Sequence, residues 1–366
     1  MKKVITTILS LVFALSTLWA NSELKKDFVT GNPEIKSIHA LTFGPEGILF
    51  IGDSQAAQLI AVDMGNAQKA VNENLNIKDV EGLLSQLLGS DSDQVQIVDM
   101  AVNPQNENVY IAVNHSSGKS LLFLVNNNTL EPVALDNVSF SNVALVNAVA
   151  ADAKDRRGRS LRQWAISDIR YANGNIMVSG LSNAEFASTF RAIPFPFSEK
   201  QASSSLEIYH AAHGQYETNS PIKTFTTMTL NDAPHVIASY TCTPLVIFPM
   251  DQLQAGAHTK GRTVAELGNW NTPLDIIEME KEGQRYILLA NTNRALMKIN
   301  VSDIESFGDS LTERVSQRSD TAGVSFINLP FVNVQQLDKL NDTQFVMLQR
   351  ESNGKLALKT GNNRWL

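Results

Sequence analysis

The stretch Ser37–Asp63, SIHALTFGPEGILFIGDSQAAQLIAVD, decides the fold. It holds an apolar run broken by polar residues, a Pro/Gly turn, the strongly apolar run ILFI, the polar hairpin GDSQAA and a second apolar run, LIAV. Short β-prone runs bounded by Gly, Asp and Ser are strands and turns. ILFI is apolar at every position, so as a strand it needs cover on both faces. The same order recurs at Ile97–Val125 (VYIAV and LLFLV around NHSSGKS), Ile166–Ile193 (NIMVSG before LSNAEFAS) and Ile222–Met250 (HVIASY and PLVIF around TCT). It returns at Pro273–Val301 (YILLA and ALMKI around NTNR) and Phe331–Lys359 (FVMLQ and KLALK around RESNG).

Sheets whose middle strands are buried on both faces stack against one another, and radial closure removes their open edges. The expected fold is all-β: a β-propeller of six blades, each of four antiparallel strands, with a seven-bladed ring or a pair of sandwiches as alternatives. Outer strands are expected at Pro132–Val138, Leu206–Tyr209 and Thr263–Leu267. Asp27–Ile35 is expected to supply the outer strand of the sixth blade and close the ring. Ile77, Val80, Leu83, Leu84, Leu87 and Leu88 recur at helical spacing, which predicts a short amphipathic helix inserted between blades 1 and 2.

The 366 residues carry 43% hydrophobic and 18% charged side chains, a globular composition. A net charge of −7 argues against general nucleic-acid binding. Lys2 and Lys3 precede the largely apolar run Val4–Trp19, and Ala20 offers a cleavage position. This reads as a secretory signal over residues 1–20, leaving one domain over 21–366 and a periplasmic or secreted protein. The apolar run is short for a membrane span, so no stable span is expected after cleavage. The only cysteine is Cys242. Exported proteins usually pair their cysteines, so a lone one is a buried thiol, an intermolecular link, or a ligand or reactive group.

Propeller topology decides which loops share a face. Connections from an outer strand to the next inner strand, and the hairpins between second and third strands, fall on one side. His39, His115, His210, His213 and Cys242 map there, and His235 and His258 map toward the other. Imidazole and thiolate are ligands for copper or zinc, so His39, His210, His213 and Cys242 form a candidate metal set. H-x-x-H spacing carries little in a loop, where His210 and His213 can simply bond the backbone. Asp53, Asn114, Asn291, Asn293, Arg294 and Arg350 sit in the hairpins of this face and are candidates for holding a small ligand.

A second constellation lies on the inner strands. His39, Asp99, Asp168, Thr226 or Thr227, Asp275 and Asn333 fall at matching positions around the axis. Asp99, Asp168 and Asp275 would suit calcium, or would line a water-filled channel with Arg170 as partner. His39 and Asp168 are the candidates for a catalytic base. Phosphate-cradling, dinucleotide, G-x-S-x-G, H-E-x-x-H and C-x-x-C-H motifs are absent, which argues against nucleotide and covalent haem. The basic stretch Lys154–Arg162, KDRRGRSLR, reads as a solvated loop or as a site for an acidic protein or anionic ligand, and Ile193–Phe197, IPFPF, as a blade edge or partner patch.

With six such units and an export signal, the chain resembles the six-bladed NHL-like, YVTN-like and sugar-dehydrogenase-like propellers. GDSQAAQLIAVD is similar to the strand–hairpin–strand unit of NHL repeats, while GLSNAEFASTFRAIPFPF and YTCTPLVIFP resemble segments of bacterial exported propellers. Quinoprotein dehydrogenases and calcium-dependent lactonases share this architecture, but their catalytic patterns do not map onto this chain residue by residue. The expectation is an exported propeller that binds a metal ion or small ligand on the His/Cys face. The alternatives are a metal-dependent hydrolase or oxidoreductase using that face, and a scaffold that binds a partner protein without ligand.

Overall fold

The computed structural model describes residues 23–366 except Asn66, Val71, Glu73 and Arg318; the signal expected over residues 1–20 lies outside the described residues. Six antiparallel sheets form the blades of a propeller. Blade 1 runs outward through Ala40–Phe43, Ile48–Asp53, Gln58–Asp63 and Val138–Ala144, with Val29–Gly31 on its rim. Blade 2 holds Val95–Asn103, Asn108–His115, Ser120–Asn126 and Thr129–Val133. Blade 3 holds Asp168–Ala172, Asn175–Leu181, Ser188–Pro194 and Ala202–His210, and Gln215–Glu217 pairs with the end of the last strand. Blade 4 holds Thr224–Leu230, Ala233–Ser239, Pro244–Pro249 and Arg262–Glu266. Blade 5 holds Pro273–Lys281, Gln284–Asn291, Met297–Asn300 and Ile327–Asn328. Blade 6 holds Val334–Lys339, Gln344–Arg350, Leu356–Asn362 and Asn76–Ile77.

The second strands are apolar on both faces because each blade is covered on both sides. Every residue of Ile48–Asp53 is buried. The buried side chains form six apolar clusters, and each cluster joins two blades. Phe50 and Ile48 of blade 1 meet Ile169 and Val178 of blade 3, while Leu49 and Ile51 on the opposite face meet Tyr110 and Ala112 of blade 2. Ile111 and Val113 of blade 2 meet Val346 and Leu348 of blade 6. The remaining clusters join blades 3 and 4, 4 and 5, and 5 and 6.

The order around the ring is therefore 1–3–4–5–6–2 and back to 1, which differs from the order along the chain. Blade 2 fills the gap between blades 6 and 1. The segment entering it, Asn76–Ile77, is laid on the outside of blade 6 against Leu358 and Lys359. The segment leaving it, Val138–Ala144, is laid on the outside of blade 1 against Gln58–Val62. This corrects the expected closure: Val29–Gly31 pairs with Val138–Phe140 on blade 1 and never reaches blade 6. It also corrects the expected strand at 132–138, which is divided between the outer strand of blade 2 and the return to blade 1.

The inserted helix is Val80–Leu88, capped by the Asp79 carboxylate accepting from the Gly82 amide and ended by Gly89 at φ 62°. Val80 and Leu84 bury into the seam between blades 2 and 6. Arg350 of the sixth hairpin clamps the helix through Glu81, at 2.8 and 2.7 Å. Among the described residues no helix is long and apolar enough to cross a membrane.

Candidate metal centre

His210 is the last residue of the outer strand of blade 3. The chain then makes one helical turn. The amides of His213 and Gly214 both donate to the His210 carbonyl, at 3.1 and 2.8 Å. Gly214 ends the turn at φ 68°, a conformation that costs a residue with a Cβ about 1 kcal/mol or more. The turn gives H-x-x-H its helical geometry in a connection expected to be a loop, and the two imidazole rings lie 3.9 Å apart.

Glu217 returns on the short strand Gln215–Glu217 and holds both rings. Its two carboxylate oxygens face His210 Nδ1 at 3.0 Å and His213 Nδ1 at 2.5 Å. Ser220 Oγ donates to the same carboxylate at 3.1 Å. Burial alone would raise the Glu217 pKa, but hydrogen bonds from the two imidazoles overcome that and hold it at about 2. An ionised carboxylate only accepts, so each Nδ1 carries a proton, and in the neutral ring the lone pair then lies on Nε2. His210 Nε2 is buried and has no hydrogen-bond partner among the described residues. Leaving a buried acceptor unpaired costs about 1–3 kcal/mol, so it marks an atom that awaits a partner.

Cys242 comes from the second hairpin of blade 4, where the Thr243 amide donates to the Tyr240 carbonyl at 2.9 Å. Cys242 and Thr243 both have positive φ, 69° and 58°. This is costly for a β-branched threonine, and strain of this kind gathers at functional sites. Asn271 pins the hairpin by accepting from the Cys242 amide at 2.8 Å. Thereby Cys242 Sγ and a ring nitrogen of each of His210 and His213 lie within 4.8 Å of one another. Burial pushes the thiol pKa up, and Glu266 and Glu217 push it the same way.

Glu266 ends the outer strand of blade 4. One oxygen accepts from the Ala212 amide at 3.1 Å, and the other is buried without a hydrogen-bond partner among the described residues. Burial pushes its carboxyl up to about 8 against the pull of the Ala212 amide. A strap from the long connection in blade 5 crosses above, the Val315 amide donating to the Ala211 carbonyl at 2.9 Å. His210 is 2% exposed as a result, while His213 stays open to solvent. Two nitrogens and a sulfur on rigid supports, with a carboxylate behind both imidazoles, is a donor set suited to zinc or copper.

His39 stands apart from this group. It lines the axial cavity, edge-on to Trp164 at 5.9 Å, and burial with Lys223 nearby lowers its pKa to about 4. The other predicted ligand-holding residues are engaged within the blades. Asp53 accepts from the Lys36, Ser37 and Ala56 amides, and Asn114 brackets both the amide and the carbonyl of Ile38. Asn291 accepts from the Asn293 and Arg294 amides, the Asn293 side chain donates to the Trp270 carbonyl, and Arg294 donates to the Ser319 carbonyl at 2.6 Å. His115 bonds Ser117 in its own exposed hairpin. Within IPFPF, Phe195 is buried and packs edge-on to Phe50 at 4.7 Å, so it belongs to the core.

The axial carboxylates serve the ring itself. Asp99 of blade 2 accepts from the Leu41 amide of blade 1 at 2.6 Å, and Asp168 of blade 3 from Phe225 of blade 4 at 2.9 Å. Asp275 of blade 5 accepts from Leu337 of blade 6, and Asp338 of blade 6 from Val102 of blade 2, both at 2.7 Å. In each case the second oxygen takes the amide of the residue that follows in its own strand. The sixth blade contributes Asp338 here, and the expected Asn333 lies in the preceding loop at φ 54°. Arg170 reaches inward among them to Asp275 at 3.4 Å and to the Phe225 and Ile276 carbonyls. A calcium ion would compete with Arg170 for the centre and with main-chain amides for each oxygen.

The fold defines the class of protein, a six-bladed β-propeller. No protein-family profile matches the chain, and no curated protein sequence does. Solved structures with a related course include Drosophila plexin A in complex with semaphorin 1b, 12% identical with a TM-score of 0.39 over 92% of this chain and 86% of that one. The dihydro-haem d1 dehydrogenase NirN in complex with DHE is 12% identical, TM-score 0.34, over 86% of this chain and 55% of that one. The WD40 propeller domain of Doa1 is 7% identical, TM-score 0.32, over 92% of this chain and 96% of that one. Likenesses this distant carry no argument about what this chain binds.

Proposed function

We propose that this chain is an exported metal-binding propeller that holds one zinc or copper ion between blades 3 and 4. His210 Nε2, His213 and the Cys242 thiolate are the ligands, and Glu217 orients both imidazoles. The observation that carries the reading is the buried Nε2 of His210, without a hydrogen-bond partner among the described residues and close to a second imidazole and the chain's one thiol. Three protein ligands leave a fourth position for water, a small ligand or Glu266. Export rests on the Lys2–Lys3 and Val4–Trp19 pattern alone. The thiol must lose its proton on binding, and burial raises its pKa, so affinity falls as the pH is lowered.

Metal content of the mature protein, measured by mass spectrometry on material from the exported fraction, tests this directly. About one equivalent of zinc or copper is expected, lost in a His210→Ala/Cys242→Ser variant that still gives a native circular-dichroism spectrum. Cobalt substitution adds an independent reading, since thiolate ligation gives an intense near-ultraviolet charge-transfer band that Cys242→Ser removes. Metal-free wild-type protein that takes up neither ion at micromolar concentration would sink the reading and leave a partner-protein scaffold as the better account.

A further inference from the structure

On the propeller axis, at the same face, opens a cavity of about 330 Å³. Arg170, Asp99, Asp168 and Asp275 lie at its floor, and His39, Trp164 and Lys223 line it above. The polar groups of the floor are engaged, as described above. On the wall, the hydroxyls of Ser167 and Thr224 are engaged, with Ser179 and Asp168, whereas the Lys223 ammonium and the His39 ring are not so held among the described residues. Lys223 Nζ rests 3.4 Å from the centre of the Trp164 ring, and among the described residues no carboxylate pairs with it. The charged neighbour that bears on it is Arg159, of like sign, which is itself paired with Asp155 at 2.6 Å. Burial, with Arg159, draws the Lys223 pKa down to about 8, and it remains largely cationic at neutral pH. His39 is neutral there, so its ring offers one N–H and one lone pair, and neither has a hydrogen-bond partner among the described residues.

A half-buried ammonium with no counter-charge is costly, and a cation–π contact of about 0.5–2 kcal/mol offsets only part of that. We propose that the axial cavity is a binding site for a small organic monocarboxylate. Its carboxylate pairs with Lys223 and accepts from the His39 N–H, and its apolar body lies against Trp164 and Leu274. Charge fixes the class. One unpaired cation is neutralised by one negative charge, whereas a phosphate dianion would bring surplus charge above the axial carboxylates. Volume fixes the size: about 330 Å³ is roughly eleven water volumes, which suits a molecule of roughly ten heavy atoms or fewer.

Calorimetric titration of the full mature chain tests this, with acetate, butyrate, 4-methylpentanoate, inorganic phosphate and the neutral amide of the tightest acid as probes. Trp164 fluorescence serves as a second readout. One acid is expected to saturate with 1:1 stoichiometry, and its amide and phosphate to bind at least about tenfold more weakly. Lys223→Met should weaken the acid by about tenfold or more, and Lys223→Arg should retain binding. Three results overturn the proposal: no acid saturating below about 10 mM, acid and amide binding alike, or phosphate binding best. If Lys223→Met does not fold, the acid and amide comparison on the wild-type chain decides alone.

Discussion

At the scale of single residues, Glu217 is the group to test beside the proposed ligands. It touches no metal position, yet it fixes the tautomer and orientation of two imidazoles at once. Loss of such a carboxylate behind a metal-binding histidine costs about 10–100-fold in affinity. Glu217→Gln should therefore keep the fold and weaken zinc binding by that order, measured by competition with a chromophoric chelator. Glu217→Asp, with a shorter reach, should fall between. His210, His213 and Cys242 were legible in the sequence because propeller topology dictates which loops share a face. Glu217 left a fainter signal, a carboxylate four residues beyond the second histidine in HAAHGQYE. Glu266 left none, because its neighbours TVAE read as an ordinary edge strand. His39 was grouped wrongly for a physical reason: loop topology gives height along the axis but not distance from it. His39 is central and the His/Cys group lies near the rim.

At the scale of strands, the inner strands are tied by carboxylates that accept amides across the gap between blades. The direction is constant around the ring: 3 to 4, 5 to 6, 6 to 2 and 2 to 1. Burying these groups disfavours their charged form. Asp275 is pushed up to about 7 by burial, with Arg170 and the Leu337 amide working the other way. Its unfolded value is near 3.9, so between about pH 4 and 7 the folded chain binds the proton more tightly than the unfolded one. Stability supplied by this group is complete below pH 4 and is lost as the pH rises through 7. His39, lowered to about 4, acts in the opposite sense between about pH 4 and 6.5, because there the unfolded chain binds the extra proton. The comparison of wild type with Asp275→Asn separates the two. Denaturant midpoints from pH 5 to 8 should decline more steeply in the wild type, by up to about 1.4 kcal/mol per pH unit for one group. Equal slopes would show that Asp275 is ionised throughout. Strand alternation reveals three of these four positions. It hides Asp338 because the sixth inner strand slips register between Val334 and Gln336, which upsets counting from the strand start.

At the scale of the molecule, the number of blades was readable and their arrangement was not. Each blade is mostly one contiguous run of three or four strands, so the repeat counts them. The order around the ring depends instead on which blade faces fit together, and on closing strands as short as Asn76–Ile77, too brief to carry a pattern. Without residues 64–144, blades 1, 3, 4, 5 and 6 would follow one another around an arc in chain order. The intervening stretch contributes blade 2, one strand to the blade on either side, and the helix that seals one seam. A chain nicked by a protease site placed at Gly65 should therefore stay assembled, because the strand before the nick, Gln58–Asp63, is held on both sides, by Ile48–Asp53 and by Val138–Ala144. Size-exclusion chromatography after cleavage should show a single native-sized species. Separation of the fragments would mean that the inner strands of blade 1 are held in the ring mainly by their covalent link to the rest of the chain.

That winding has a consequence for the order of assembly. Leu75 is synthesised early, yet its amide bonds the hydroxyl of Thr360, 285 positions later. In a polypeptide made amino end first, the gap beside blade 2 cannot be sealed until almost the last residue has emerged. The apolar flank formed by Ile111, Val113 and the helix then waits, uncovered, through nearly the whole of synthesis. A chain built this way folds as a late, single event. It would be most vulnerable to self-association in that interval, and most sensitive to loss of its final strand.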